Sequence, residues 1–495
     1  MVRVTSHAES VLRRWRPGIV FLIAPAVFVG VYVLAAIAGV RFDYMRDGLW
    51  QFVPPAELQA NPLSTLWLLH SQPPGFNAAL AVLDRTGGFA PIGWQLLFLV
   101  GTLVALWMTA DITYRWTGAL LPAAVAGVGA ALLPGTLFYS SWLFYTQPVA
   151  TLLVAAAWGL VVGRASNRPA CFVVSMAAMV GLFVIRSSIV WPIVLAWIVL
   201  VTAQALRAGV VHRRSIACAI VATAVCGTTV VGILTVKNVS LFGVWTQSSW
   251  SSENYGKGLL SAMRADELNS LANSDPCFRE LVVAGAFQDT ARYPSCLRTN
   301  PSSRGLPSDS ALLARTWSNG QTNYNHLERL DLSSAWSRFD VEVLKRDSLL
   351  PMKVVLPSFE GQRRGSLVTF LWPSADYVFV AGNVSAAGRV ATAWIWMTAW
   401  LPAALILTWL LFLTLTSSRR GLRPLHFPTY VWVSLLVAYL CVLYVFLEVG
   451  ENQRFRAELD LLLMALGGVG VWKLVSAALG RLSTRPPTRH EANPT

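Results

Sequence analysis

Residues 18–40 and 215–236 form runs of 23 and 22 amino acids without a single charged side chain. About 20 apolar residues in helical form cross the hydrocarbon core of a bilayer. Inside that core each backbone N–H and C=O must be satisfied within its own segment, so solid apolar runs of this length specify transmembrane helices. A membrane β-barrel would show segments of roughly ten residues with alternating polarity instead. Composition agrees, because 55% of the 495 residues are hydrophobic and only 13% are charged, whereas soluble domains carry about 25% charge. The first run is too long for the apolar stretch of a signal peptide and no small-residue cleavage site follows it, so it is expected to remain as an anchor.

Apolar length and flanking charge place ten spans near 18–40, 91–113, 118–136, 142–163, 169–185, 188–206, 216–236, 391–415, 428–448 and 459–479. An even number puts both ends of the chain on one side. The basic clusters Arg13/Arg14/Arg16, Arg164/Arg168, Arg207/Arg213/Arg214, Arg419/Arg420/Arg423 and Arg481/Arg485/Arg489 all fall on that side, which the positive-inside rule makes the cytoplasm. Residues 237–390 hold 16 Lys and Arg against 14 Asp and Glu, so the net charge of +14 sits beside the spans and implies no nucleic-acid partner. Residues 76–83 are too few to cross, yet Phe76, Ala79, Leu80 and Leu83 have helical spacing, which predicts an interfacial helix.

The expected fold is therefore an all-α polytopic membrane protein, located in the plasma membrane. Residues 1–236 form a seven-span module that includes a first outer loop, 41–75. A mixed extracytoplasmic loop domain covers 237–390, three further spans cover 391–480, and 481–495 is a cytoplasmic tail. Cys277 and Cys296 are the two cysteines of the outer segments and are expected to pair, while Cys171, Cys218, Cys226 and Cys441 lie in apolar spans as packing residues. His326 has no second ligand at helical spacing and is expected to face solvent. No metal-ligand spacing, Walker loop or dinucleotide fingerprint occurs, so no metal or cofactor is expected. Many of the 21 tryptophans lie near span ends, as aromatic belts do.

Chemistry concentrates in the outer loops. Asp43 and Asp47 sit within a turn or two of the membrane surface, where an ionised carboxylate could take a proton from an attacking hydroxyl, or could simply pair with Arg41 and Arg46. Further along, Leu69-His70-Ser71-Gln72-Pro73-Pro74-Gly75 forms a polar, proline-rich entry to the interfacial helix. His70 and Gln72 could bind substrate there or cap that helix. Arg186, Arg454 and Arg456 lie at the outer ends of spans, where they could hold a lipid phosphate or snorkel to headgroups.

An acidic residue just beyond the first span, then a His, a Pro-Pro pair and an interfacial helix, resembles the GT-C superfamily of membrane glycosyltransferases. The pattern is most similar to the protein O-mannosyltransferase and aminoarabinose transferase group. Lys237, Asn238, Ser248, Ser249, Trp250, Asn323, Tyr324, Asn325 and the Arg-containing segment 451–456 extend the likeness. One departure is that Asp43 stands next to Tyr44, where relatives often carry adjacent Asp and Glu. The resemblance implies a polyprenyl-phosphate sugar donor and an inverting transfer to an acceptor hydroxyl on a glycan, lipid or protein, with Asp43 or Asp47 as base. Two rivals share the architecture: a transporter or lipid flippase, and a ligase that uses a longer lipid-linked donor.

Overall fold

The computed structural model describes residues 2–46, 49, 51–207, 214–297, 313–356, 366–371, 394, 398, 400–418, 427–447 and 452–483. Asp47 lies outside them. Helix α1 (Val2–Ile37) leads into the first outer loop, which holds three short helices, α2 (Pro55–Ala60), α3 (Pro62–Trp67) and α4 (Gly75–Leu83). There follow α5 (Ala90–Thr117), α6 (Leu120–Leu132), α7 (Pro134–Ser140), α8 (Thr146–Ser166), α9 (Pro169–Ile185), α10 (Trp191–Arg207) and α11 (Arg214–Phe242). The loop domain contributes α12 (Ser251–Ala262), α13 (Ala265–Ala272), α14 (Pro276–Ala284), α15 (Glu328–Arg346), α16 (Leu350–Val355) and α17 (Ser366–Leu371). The chain returns to apolar helices in α18 (Trp400–Ser418), α19 (Phe427–Leu447) and α20 (Asn452–Ser483).

Local chemistry sets the breaks. Leu133 precedes Pro134 and is pushed into the extended region, so α6 and α7 meet at a bend of 55° rather than as one straight rod. Gly118 (φ 72°) and Asn167 (φ 50°) close α5 and α8 in the left-handed conformation that these residues tolerate. Among the described residues, six helices are long and apolar enough to cross a membrane, or seven if α6 and α7 form one broken span. Helices α9 and α10 and the apolar part of α18 are shorter than that measure. The protein is thus an all-α integral membrane protein, with membrane contact carried by rows of exposed Leu, Ile and Val on α1, α5 and α11.

Helix α20 runs through the bundle instead of lying at its edge. It packs against α5, α6, α8 and α18, with Leu459, Leu462, Leu463, Leu466 and Val469 fully buried. Helices α18 to α20 therefore share one core with the helices of the first half of the chain. Close approach relies on small residues: a side chain on Gly159 of α8 would collide with the Cys171 carbonyl and Ser175 of α9, as membrane helix pairs commonly require. The loop domain has its own core around Leu259, Leu281, Trp336 and Phe339. Cys277 and Cys296 are bridged there, with Cα atoms 4.7 Å apart.

One carboxyl in that core works against it. Asp340 is buried between α12 and α15, its Oδ1 lacks a hydrogen-bond partner, and burial pushes its pKa up to about 8. Folding thus holds a proton that the unfolded chain releases near pH 4, so the stability loss grows as pH rises from 4 to 8 and then levels off. Asp340→Asn is expected to raise the unfolding temperature at pH 8 and leave it unchanged at pH 4. The linkage corresponds to on the order of 5 kcal/mol at the alkaline end. Equal melting shifts at both pH values would contradict the burial account.

Candidate functional site: a cationic cavity at the helix ends

Where α8, α9 and α20 end beneath the loop domain, they enclose an open cavity of about 670 Å³, mouth included. Three parts of the chain line it. The first outer loop gives Gln51, Ser71, Gln72 and Pro73; the helix ends give Tyr145, Ile185, Arg186, Ser187 and Arg454; the loop domain gives Ser248, Trp250, Asn254, Lys257 and Phe287. Three of these side chains are cationic and none is acidic. Such a cavity favours an anion.

The two arginines are held by aromatic faces and one carboxylate. Arg186 follows the last turn of α9 and donates from Nη1 to the Tyr145 hydroxyl at 3.0 Å. Arg186 and Arg454 both lie on the Phe455 ring, 4.4 and 4.6 Å from its centroid. Both also lie against Tyr145, and Arg454 covers Phe144 at 4.6 Å as well. Quadrupoles of these rings offset part of the repulsion between two nearby guanidinium groups. Glu458, fully buried one turn into α20, approaches Arg186 Nε at 3.3 Å and accepts from the Tyr444 hydroxyl at 2.6 Å. It helps to hold the guanidinium in place. Arg454 and the exposed Lys257 are the other two cationic side chains of the lining.

Arg456 does not join them. It is turned away from the cavity, pairs with Asp460 at 3.2 Å, and donates to the Phe370 and Leu371 carbonyls of α17. Of the three arginines named from the sequence as able to hold a lipid phosphate, Arg186 and Arg454 line one cavity and Arg456 does not, since residues two apart on a helix face about 200° apart.

His70 is likewise not a lining residue. It is fully buried, with Nε2 3.0 Å from the Asn325 carbonyl and Nδ1 3.0 Å from the Ser249 hydroxyl. A carbonyl only accepts, so Nε2 carries the proton and Nδ1 accepts from Ser249. Neither does it cap α4, which has no side-chain cap. The same latch explains other residues that carry the GT-C resemblance. Lys237 Nζ donates to the Leu69 carbonyl at 2.6 Å, Ser248 Oγ to the Ser71 carbonyl at 2.5 Å, and Asn325 binds both sides of residues 68–71. Together they clamp the first outer loop onto the loop domain. Beyond the clamp, Gln72 reaches the cavity and donates to the Gln51 carbonyl. Gly75 then lets α4 touch the Val184 carbonyl of α9, a contact no side chain would permit.

Asp43 sits beside this arrangement. Its backbone pairs with the segment after α7, with Asp43 N–H on the Ser141 carbonyl at 2.7 Å and Leu143 N–H on the Asp43 carbonyl at 2.9 Å. Phe144 and Tyr145, the rings that carry the two cavity arginines, follow directly. Asp43 is half-buried, and burial raises its pKa above the usual carboxylate value. Among the described residues its carboxylate forms no ion pair, and Arg41 is exposed. It does not line the cavity as enclosed here. Arg46 binds Asp84 instead, through Nε at 2.9 Å and Nη2 at 2.7 Å, and Asp84 also accepts from Tyr44 at 2.7 Å.

His326, expected in solvent, is buried and bonds the Leu313 carbonyl at 3.0 Å. Among the described residues no group of three His, Cys, Asp or Glu side chains is placed to hold a metal ion. Sequence reasoning did not single out Lys257, Asn254, Gln51 or Phe287 as cavity residues, because nothing in their neighbourhood marks which helix face meets the membrane helices. No protein-family profile matches the chain, and no curated protein or solved structure shows significant similarity to it.

Proposed function

We propose that this protein is a glycosyltransferase that takes a monosaccharide from a polyprenyl phosphate at the outer membrane surface. The observation that carries the reading is the cavity itself: Arg186, Arg454 and Lys257 with no carboxylate in the lining, at the level where a lipid-borne phosphate would sit. In the reaction, the acceptor hydroxyl oxygen bonds to the anomeric carbon from the face opposite the phosphate. The bond from that carbon to the phosphate oxygen breaks, and the hydroxyl proton passes to a carboxylate base, for which Asp43, beside the cavity on the segment paired with residues 141 and 143, is the first candidate. The lipid phosphate gains a negative charge as it leaves, and cations placed to meet that charge stabilise the transition state more than the ground state. Asp47 is the second candidate for the base.

This reading takes ten spans, both termini in the cytoplasm and the loop domain outside the plasma membrane, as the basic clusters require. It needs only the lipid donor, the bilayer and an acceptor with a free hydroxyl on a glycan, lipid or protein. One observation favours a transporter instead. The bent α6–α7 pair borders a second hollow of about 300 Å³ within the bundle, lined by Thr102, Thr136, Thr146 and Gln147. Broken helices around polar midplane hollows are a transporter feature. The cationic cavity lies outside that hollow and has the larger volume, which favours chemistry at the surface.

The test uses the full chain in nanodiscs with polyprenyl phosphate as probe. Saturable binding that weakens with added salt is the expected result. Proteoliposomes that move polyprenyl phosphate across the bilayer, yet pass no sugar from a polyprenyl-phosphate sugar to any acceptor, would establish the transport reading instead.

A further inference from the structure

Phe287 has φ 59°, a backbone conformation that a bulky side chain adopts only under constraint. The constraint is visible. Its N–H donates to buried Glu253, its carbonyl accepts from the Tyr324 hydroxyl at 2.9 Å, and the carbonyl of neighbouring Gln288 accepts from Arg329. Arg329 pairs with Glu253 at 3.5 Å and covers the Tyr324 ring at 4.5 Å. This buried network holds one half-exposed phenyl ring in the cavity wall. Beside it, the Trp250 ring meets Phe287 at 6.0 Å and 81°. Asn254 and Lys257 project from the next turns of α12 into the same half of the cavity.

We infer that the loop-domain half of the cavity is an acceptor subsite for a saccharide ring, which the half-exposed Phe287 receives on its C–H face, with the buried Trp250 backing that ring edge-on, while Asn254 and Lys257 hydrogen-bond its hydroxyls. A sugar ring has an apolar face and a polar rim. One half-exposed aromatic ring beside an amide and an ammonium matches both. The inference rests on the transferase reading and narrows its acceptor to a glycan, in place of a protein side chain or a lipid headgroup.

Nanodisc-embedded protein applied to an array of immobilised oligosaccharides tests it, with polyprenyl phosphate binding measured on the same discs. Wild type is expected to bind at least one saccharide class. Phe287→Gly removes the ring at a φ that glycine accepts without strain, and should lower that signal by about tenfold or more. Phe287→Trp should keep it. A wild type that binds polyprenyl phosphate but no saccharide overturns this inference alone. Saccharide binding equal in wild type and Phe287→Gly overturns the role of the ring, and absence of polyprenyl phosphate binding overturns the transferase reading beneath both.

Discussion

Asp43→Asn protein is expected to transfer sugar at least about 100-fold more slowly than wild type while folding normally, because general-base catalysis contributes on that order. The substitution keeps the side chain's size, and the two backbone hydrogen bonds that pin Asp43 to residues 141 and 143 do not involve the carboxylate. Loss of activity with an unchanged unfolding temperature would therefore report chemistry and not collapse of the loop. The pH profile gives a second readout. A base acts only when ionised, and burial raises the Asp43 pKa, so the rate should fall as pH drops through a value above the ordinary aspartate range. Asp43→Asn should abolish that acid limb. If Asp43→Asn transfers sugar at the wild-type rate and Asp47→Asn does not, the base lies four residues further on; if neither matters, the transferase reading loses its chemistry.

The second large effect concerns Arg454. Its guanidinium is stacked on Phe144 and Phe455, so it is already ordered and desolvated before any ligand arrives. A charge-assisted contact from such a group contributes about 1.5–3 kcal/mol, so Arg454→Ala should weaken polyprenyl phosphate binding by roughly 10- to 100-fold. Arg454→Lys should recover only part of this, since an ammonium cannot stack as a plane and fork onto phosphate oxygens together. Affinity and its salt dependence, measured at several ionic strengths, check both statements. An alanine variant with wild-type affinity would remove the anion from this part of the cavity. Arg456→Ala is the contrasting case: that side chain ties α20 to α17, so its loss should lower stability before it changes affinity.

Membrane character was legible because solvent decides it: a bilayer demands apolar length, and length is written directly in the residues. The short helix after the Pro-Pro pair and the bridge between Cys277 and Cys296 were legible for similarly local reasons. The site was legible only in part. Arg186 and Arg454 could be placed at one level from their positions at span ends, but the inward or outward aim of Arg456 depends on helix phase against α17, which the sequence does not announce. His70 shows the opposite failure. A polar residue in a conspicuous motif invites a catalytic reading, and burial against Ser249 and Asn325, some 180 and 255 positions away, was invisible without the fold. Lys257 and Phe287 could not be found at all from local pattern, since one looks like any exposed lysine and the other owes its role to a backbone angle.

The position of α20 also bears on how the protein is made. Charged side chains on a membrane helix are tolerated where they pair or face the protein interior, and this helix brings Arg454, Arg456, Glu458 and Asp460 within its first turns. It carries its own counter-charge in the Arg456–Asp460 pair, whereas Glu458 meets the Tyr444 hydroxyl of α19 and Arg186, which lies some 270 residues earlier in the chain. Docking of α20 thus closes contacts between parts of the chain that lie far apart in sequence. Until that helix docks, Arg454 and the Phe455 ring on which both cavity arginines lie are absent, so this wall of the cavity is built only when α20 arrives.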